Sequence, residues 1–170
     1  MEKTRIPVSI DIGFGDKIYP GRILSTFPTL LGMEPPKIYA YSIYSVIAEK
    51  FEAFVSLGLA NGRYKDFYDI FVLSNSYCLL GQNLKEAIIE TFLQRGTKLD
   101  DIVAFEDDFV EEPIRQKRWD SFINKKKAMA NITFKQAISR CKELLMPIVE
   151  SITKGGSFQK VWDKNKGHWE

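Results

Sequence analysis

The sequence predicts an α+β fold: N-terminal strand of a small sheet region, then a mainly helical C-terminal bundle. Three observations lead there. Residues 8–14 alternate apolar and polar side chains, residues 19–39 are broken by Pro20, Pro28, Pro35 and Pro36, and from Ser42 onward apolar residues recur every three or four positions. The expected organisation is a sheet region over 1–40 and a helical region over 41–170. At 170 residues and 45% hydrophobic content, the two can share one core and form one globular domain.

Each element has its own signal. Val8, Ile10, Ile12 and Phe14 alternate with Ser9, Asp11 and Gly13, which reads as a strand buried on one face and ending at Gly15-Asp16. Between Tyr19 and Tyr39 the prolines and glycines leave irregular chain with at most one short extended segment. Helices are expected over Ser42 to Leu57, Lys65 to Ser74, Asn83 to Gln94, about Glu111 to Lys127, and Thr133 to Ile152. Asn83 with Glu86, and Thr133 with Gln136, have the spacing at which side chains satisfy free N-terminal amides. In the last helix Phe134, Ala137, Ile138, Cys141, Leu144, Leu145, Ile148, Val149 and Ile152 form one stripe, and Pro147 should kink it. After Gly155-Gly156, Trp162 and Trp169 are expected to lie over the surface with their indoles partly buried.

Composition narrows the function classes. Twenty-four basic and 22 acidic residues leave a net charge of +2, so no global field favours nucleic acid or an anionic membrane, and any basic site must be local. No apolar run has the length of a signal peptide or a membrane span, so no membrane partner is expected. Cys78 and Cys141 both sit among apolar residues, which reads as buried free thiols in a reducing, cytoplasmic setting. His168 is the sole histidine, which removes most metal sites built on that residue.

Several residues break their local pattern. Lys50 falls inside the stripe Ile43, Val46, Ile47, Phe51, Phe54, Val55. Desolvating an unpaired ammonium is costly, so Lys50 snorkels to solvent, pairs with a carboxylate, or lines a cleft that receives an anion. Asp66 and Asp69 share one face of the next helix. Either they meet the positive end of its dipole, or with Arg63 and Lys65 they form a mixed-charge cluster where cations hold phosphates and a carboxylate takes a proton. Asp11 on the outer strand face is by itself a solvated polar residue. Lys125, Lys126 and Lys127, with Arg115, Lys117 and Arg118 nearby, read as a solvated helix end or a phosphate-backbone contact surface. Gly155-Gly156-Ser157 lacks a preceding strand, and Glu106-Asp107-Asp108 lacks a glycine-rich turn, so neither reads as a metal or phosphate site.

Taken together, Ser9-Ile10-Asp11-Ile12-Gly13-Phe14-Gly15-Asp16, Ala48-Glu49-Lys50-Phe51-Glu52-Ala53 and the run from Leu57 through Asn61-Gly62-Arg63-Tyr64-Lys65-Asp66-Phe67-Tyr68-Asp69 resemble the AbiEii/AbiGii toxin family. Thr91 to Gly96, Trp119 to Phe122 and the tail around Trp162 and Trp169 look like it as well. That family consists of nucleotidyltransferases, toxin halves of toxin-antitoxin and phage abortive-infection systems. The resemblance implies that residues 1–40 are part of a nucleotidyltransferase sheet and that Asp11 is a metal-ligating, catalytic acid. It further implies that Lys50 contacts nucleotide phosphates, that Asp66 or Asp69 is a catalytic acid, and that Arg63 and Lys65 stand beside the nucleotide. The implied cofactor is Mg2+, the substrate an NTP, the acceptor a hydroxyl of RNA (tRNA) or protein, and the partner an antitoxin protein.

The departure from the family pattern is as clear. No Gly-Gly or Gly-Ser turn followed by Asp-x-Asp precedes Asp11, so two of the three expected metal carboxylates are missing. The expectation is a truncated frame, a first half supplied by another polypeptide, or a non-catalytic remnant that binds protein or RNA. A strand at 8–14 without neighbours would leave an open edge needing cover.

Overall fold

The computed structural model describes residues 6–10, 12, 15, 17–125 and 132–170. The α+β class holds. The strands, however, are not where the alternation puts them: Val8, Ser9, Ile10 and Ile12 are irregular and exposed, because their apolar side chains find no face to pack on. The N-terminal sheet is instead built from β1 (Ile23–Thr26) and β2 (Lys37–Ala40), antiparallel with Ile23 opposite Ala40 and Thr26 opposite Lys37. Leu24 and Tyr39 remain exposed on this ladder.

α1 (Ile43–Leu57) starts where Ser42 Oγ accepts the Ser45 amide at 3.1 Å. The preceding segment is tied to the same turn, since Tyr19 N donates to Ser45 Oγ at 2.9 Å. Ile47, Ala48, Phe51 and Phe54 bury one face of α1. They meet α2 (Tyr64–Ser76), where the Phe54 and Phe67 rings stack with centroids 4.0 Å apart, and α3 (Gly81–Arg95), where Phe51 packs on Phe92.

α3 begins two residues before Asn83, which lies inside it. At Gly81 the amide donates to the Lys160 carbonyl at 2.8 Å, and a Cβ would stand 2.4 Å from the Phe158 ring. The start is thus fixed by a close tertiary approach rather than by a side-chain cap. The helix expected over 111–127 is α5 (Pro113–Asn124), and a short helix that was not expected, α4 (Asp107–Glu111), stands before it. Pro113 separates the two: it suits a first helical turn and pushes Glu112 out of the α region, to ψ 118°. Lys126 and Lys127 lie outside the described residues.

α6 (Phe134–Lys154) carries the expected capping box between Thr133 and Gln136 and runs through Pro147 without ending. Phe134 sits among Tyr64, Phe67, Phe109 and Trp119. The tail is structural rather than superficial. β3 (Leu79–Leu80), β4 (Val161–Asp163) and β5 (His168–Trp169) form a small antiparallel sheet, and both indoles are buried with their donors satisfied. Trp162 Nε1 donates to Ser74 O at 2.7 Å and Trp169 Nε1 to Leu144 O at 3.0 Å. Of the two cysteines only Cys141 is buried, which pushes its thiol pKa well up; Cys78, expected inside, is exposed. Among the described residues no helix is long and apolar enough to cross a membrane.

Candidate functional site

The site forms where the chain leaves α1 and enters α2. A short 3-10 turn, Gly58–Ala60, leads to Asn61, whose side-chain oxygen accepts the Arg63 amide at 2.8 Å. From below, Arg115 of α5 donates to the carbonyls of Asn61 at 2.8 Å and Leu59 at 2.5 Å, with its guanidinium 3.8 Å over the Phe109 ring. This loop is therefore held rigidly. Arg115 is buried, so it does not belong to the basic surface the sequence suggested; its charge is consumed by backbone carbonyls and by Glu112 at 2.5 Å. Tyr64, packed on Trp119 and Phe134, then fixes the rotation of α2, turning Asp66 and Asp69 toward α1.

Lys50 meets them there. Its Nζ lies 3.0 Å from Asp66 Oδ1 and 2.6 Å from Asp69 Oδ2. Arg63 Nε stands 2.7 Å from Asp66 Oδ2, and Lys65 Nζ 2.5 Å from Asp69 Oδ2. The exposures differ in a way that matters: the Asp66 side chain is 4% accessible, Lys50 18%, Asp69 23% and Arg63 60%. Arg63 approaches Asp66 Oδ2 as an ion pair without the alignment of a hydrogen bond, so that buried oxygen has no donor in line. Burial alone would lower the Lys50 pKa, but hydrogen bonds and attraction from Asp69 and Asp66 outweigh it and raise the pKa above the ordinary lysine value. Lys50 is a fixed cation, not a proton acceptor.

Three cations against two carboxylates leave the cluster with an excess of positive charge. Lys50 and Arg63 open onto a cleft of about 280 Å3 lined by Tyr41, Val46, Glu49, Lys50, Ala53, Arg63 and Arg95, where Arg95 adds one cation and Glu49 and Glu52 add two carboxylates. Arg95 crosses from the end of α3 to contact Glu49 and to stand 3.5 Å from Glu52. Glu52 is itself buried and receives the Thr97 hydroxyl at 2.5 Å. The residue-by-residue reading of the sequence found Lys50, Arg63, Lys65, Asp66 and Asp69 and missed Arg95, Glu49 and Tyr41 as cleft residues. Only the placement of Arg95 in the last turn of a helix could have drawn attention to it, and that position is ordinarily explained by the helix dipole. Asp11 lies outside the described residues.

A larger recess, of about 360 Å3, lies elsewhere, between α6 and the tail, and includes Gln136, Ser139, Arg140, Glu143 and Lys166. Its cations are already committed, Arg140 to Asn75 at 2.9 Å and Lys166 to Glu170. The cluster at Lys50 does not fit a magnesium ion. Magnesium needs several free oxygens in octahedral array, whereas both Asp66 oxygens and Asp69 Oδ2 face ammonium or guanidinium groups. Among the described residues no group of three or more His, Cys, Asp or Glu side chains could hold a metal ion.

Comparison with known proteins agrees with the motif. Residues 1–140 match the family described as nucleotidyl transferase AbiEii toxin, type IV toxin-antitoxin system. Neither the curated proteins nor the solved structures give a significant match. The family match covers the cluster, the cleft and the chain as far as the first turns of α6, and on that extent the chain belongs to the AbiEii family of nucleotidyl transferase toxins.

Proposed function

We propose that this chain serves as the helical part of a cytoplasmic nucleotidyltransferase toxin, acting in abortive infection or phage defence, that moves a nucleoside monophosphate from an NTP to a hydroxyl of RNA or protein. The observation that carries the reading is the meeting of Lys50, Arg63 and Lys65 over Asp66 and Asp69, with Lys50 and Arg63 on the wall of a cleft. The transferred group is an anion, and charge that develops on phosphate oxygens is best met by cations already fixed in place. Lys50, permanently charged and held from two sides, is such a cation. Asp66 is too deeply buried to meet a substrate and acts by positioning Lys50. Asp69 is accessible enough to accept a hydrogen bond from an attacking hydroxyl. Asp11 is the metal-ligating acid of this reading, and magnesium, if bound there, would neutralise phosphate charge.

A second reading has an observation of its own. Lys50, Asp66 and Asp69 pair with one another, which also suits a non-catalytic module that binds RNA or an antitoxin protein. Transfer of label from each of the four α-labelled NTPs, with magnesium, to total RNA and to protein separates the two. The enzymatic reading expects labelling that falls at least about tenfold in Arg63→Ala, the loss of roughly one cation-phosphate contact, and that is abolished in Asp11→Ala and Lys50→Gln. A folded wild type that labels nothing with any nucleotide supports the binding module instead.

A further inference from the structure

Lys50 borders two recesses of opposite character. One is the charged cleft of Lys50, Arg63 and Arg95. The other, between α1 and α2, has a volume of about 220 Å3 and a wall that is almost entirely apolar, formed by Val46, Tyr68, Val72 and Leu73 with Lys50 and Asp69 at its edge. Val46 and Lys50 belong to both. A concave apolar surface joined to an anion-holding ammonium fits a ligand with a flat apolar body and an anionic tail. A second apolar recess, lined by Ile88, Ile89, Phe92, Leu93, Thr97, Leu99 and Ile152, has no cation in its wall and lacks that combination.

We propose that the recess of Val46, Tyr68, Val72 and Leu73 seats the nucleobase of the nucleotide whose phosphates Lys50 and Arg63 hold. This rests on the reading of the adjoining cleft as a phosphate site. The near absence of polar atoms in the wall has a consequence for selectivity: the base is gripped by its faces and is not read at its hydrogen-bonding edges. Apolar contact alone discriminates weakly between ligands of similar shape, so the four nucleotides differ by about tenfold or less, with purines favoured by their larger faces.

Calorimetric titration of the 170-residue chain with tripolyphosphate, ATP and CTP tests this. The wild type should bind ATP about tenfold more tightly than tripolyphosphate, equivalent to about 1.4 kcal/mol, with CTP between them. Val72 lies at the rim, 36% exposed. Val72→Trp, which fills the recess, and Val72→Asn, which makes it polar, should each bring ATP down to the affinity of tripolyphosphate, while unchanged tripolyphosphate binding reports that the fold and the cations are intact. ATP binding that survives both substitutions, or that never exceeds tripolyphosphate binding in the wild type, overturns the nucleobase seat and leaves the phosphate site standing. Failure of the wild type to bind tripolyphosphate or either nucleotide overturns both.

Discussion

Lys50 and Asp66 form a nearly buried ion pair across α1 and α2, with Nζ 3.0 Å from Oδ1 and the Asp66 side chain only 4% accessible. Removing one partner leaves the other charge desolvated and uncompensated. Lys50→Met should therefore destabilise the protein by about 2–3 kcal/mol, less than the fully buried case because Arg63 still faces Asp66. Adding Asp66→Leu to that variant should recover most of the loss. Urea unfolding measures the stabilities, and tripolyphosphate titration separates the roles: the double variant should regain stability and still fail to bind. A double variant that binds as well as the wild type would reduce the pair to a structural device.

Arg63 and Lys65 are expected to behave differently, because both are mostly exposed. Exposed ion pairs are screened and contribute about 0–1 kcal/mol to stability, so Arg63→Ala and Lys65→Ala should unfold at nearly wild-type urea concentrations. Their effect belongs on binding. Arg63→Ala should weaken tripolyphosphate binding about tenfold and Lys65→Ala, which stands off the cleft wall, less, and the affinity of the wild type should fall steeply as salt is raised.

The pH dependence follows from the raised pKa of Lys50. A lysine whose pKa is higher in the folded than in the unfolded state contributes stability that is fully present below its unfolded value and is lost as pH rises through its folded value. The pair should thus contribute a constant amount from pH 6 to 9 and decline only in the alkaline range above about 10.4, the unperturbed lysine value. Stability measured from pH 8 to 11 should fall more steeply in the wild type than in Lys50→Met. Equal slopes would show that the ammonium is not held by its carboxylates.

Much of this site was legible in the sequence, and the reasons for what was not are physical. Lys50 declared itself by interrupting an apolar stripe, and Asp66 and Asp69 by their i, i+3 spacing, because both are signals within one helix. Arg95 carries no such local mark; it reaches the cleft only because α3 packs on α1, a relation set by Phe51 and Phe92. Arg115 reads as a surface cation beside Lys117 and Arg118, yet α5 turns it inward to the carbonyls of Leu59 and Asn61. The same limit applies to the fold. Thr133 and Gln136 announce α6 through a local exchange of hydrogen bonds, whereas the alternation at Val8 to Phe14 promises a strand that only a neighbouring strand could make real.

Arg115 offers a test of that correction. Its guanidinium holds two loop carbonyls and lies against Phe109, and the loop it supports carries Arg63. Arg115→Ala should cost about 2–4 kcal/mol by stranding those buried carbonyls and emptying the space over the ring, whereas Lys117→Ala, at an exposed position of the same helix, should change stability by less than about 0.5 kcal/mol. Arg115→Lys should recover little, since one ammonium cannot reproduce the spacing of two guanidinium donors. Because the loop sets where α2 begins, residual folded Arg115→Lys should also bind tripolyphosphate more weakly, through displacement of Arg63. Thermal unfolding alongside titration of the three variants checks this. An Arg115→Ala protein as stable as the wild type would return Arg115 to the surface role that its neighbours in the sequence suggest.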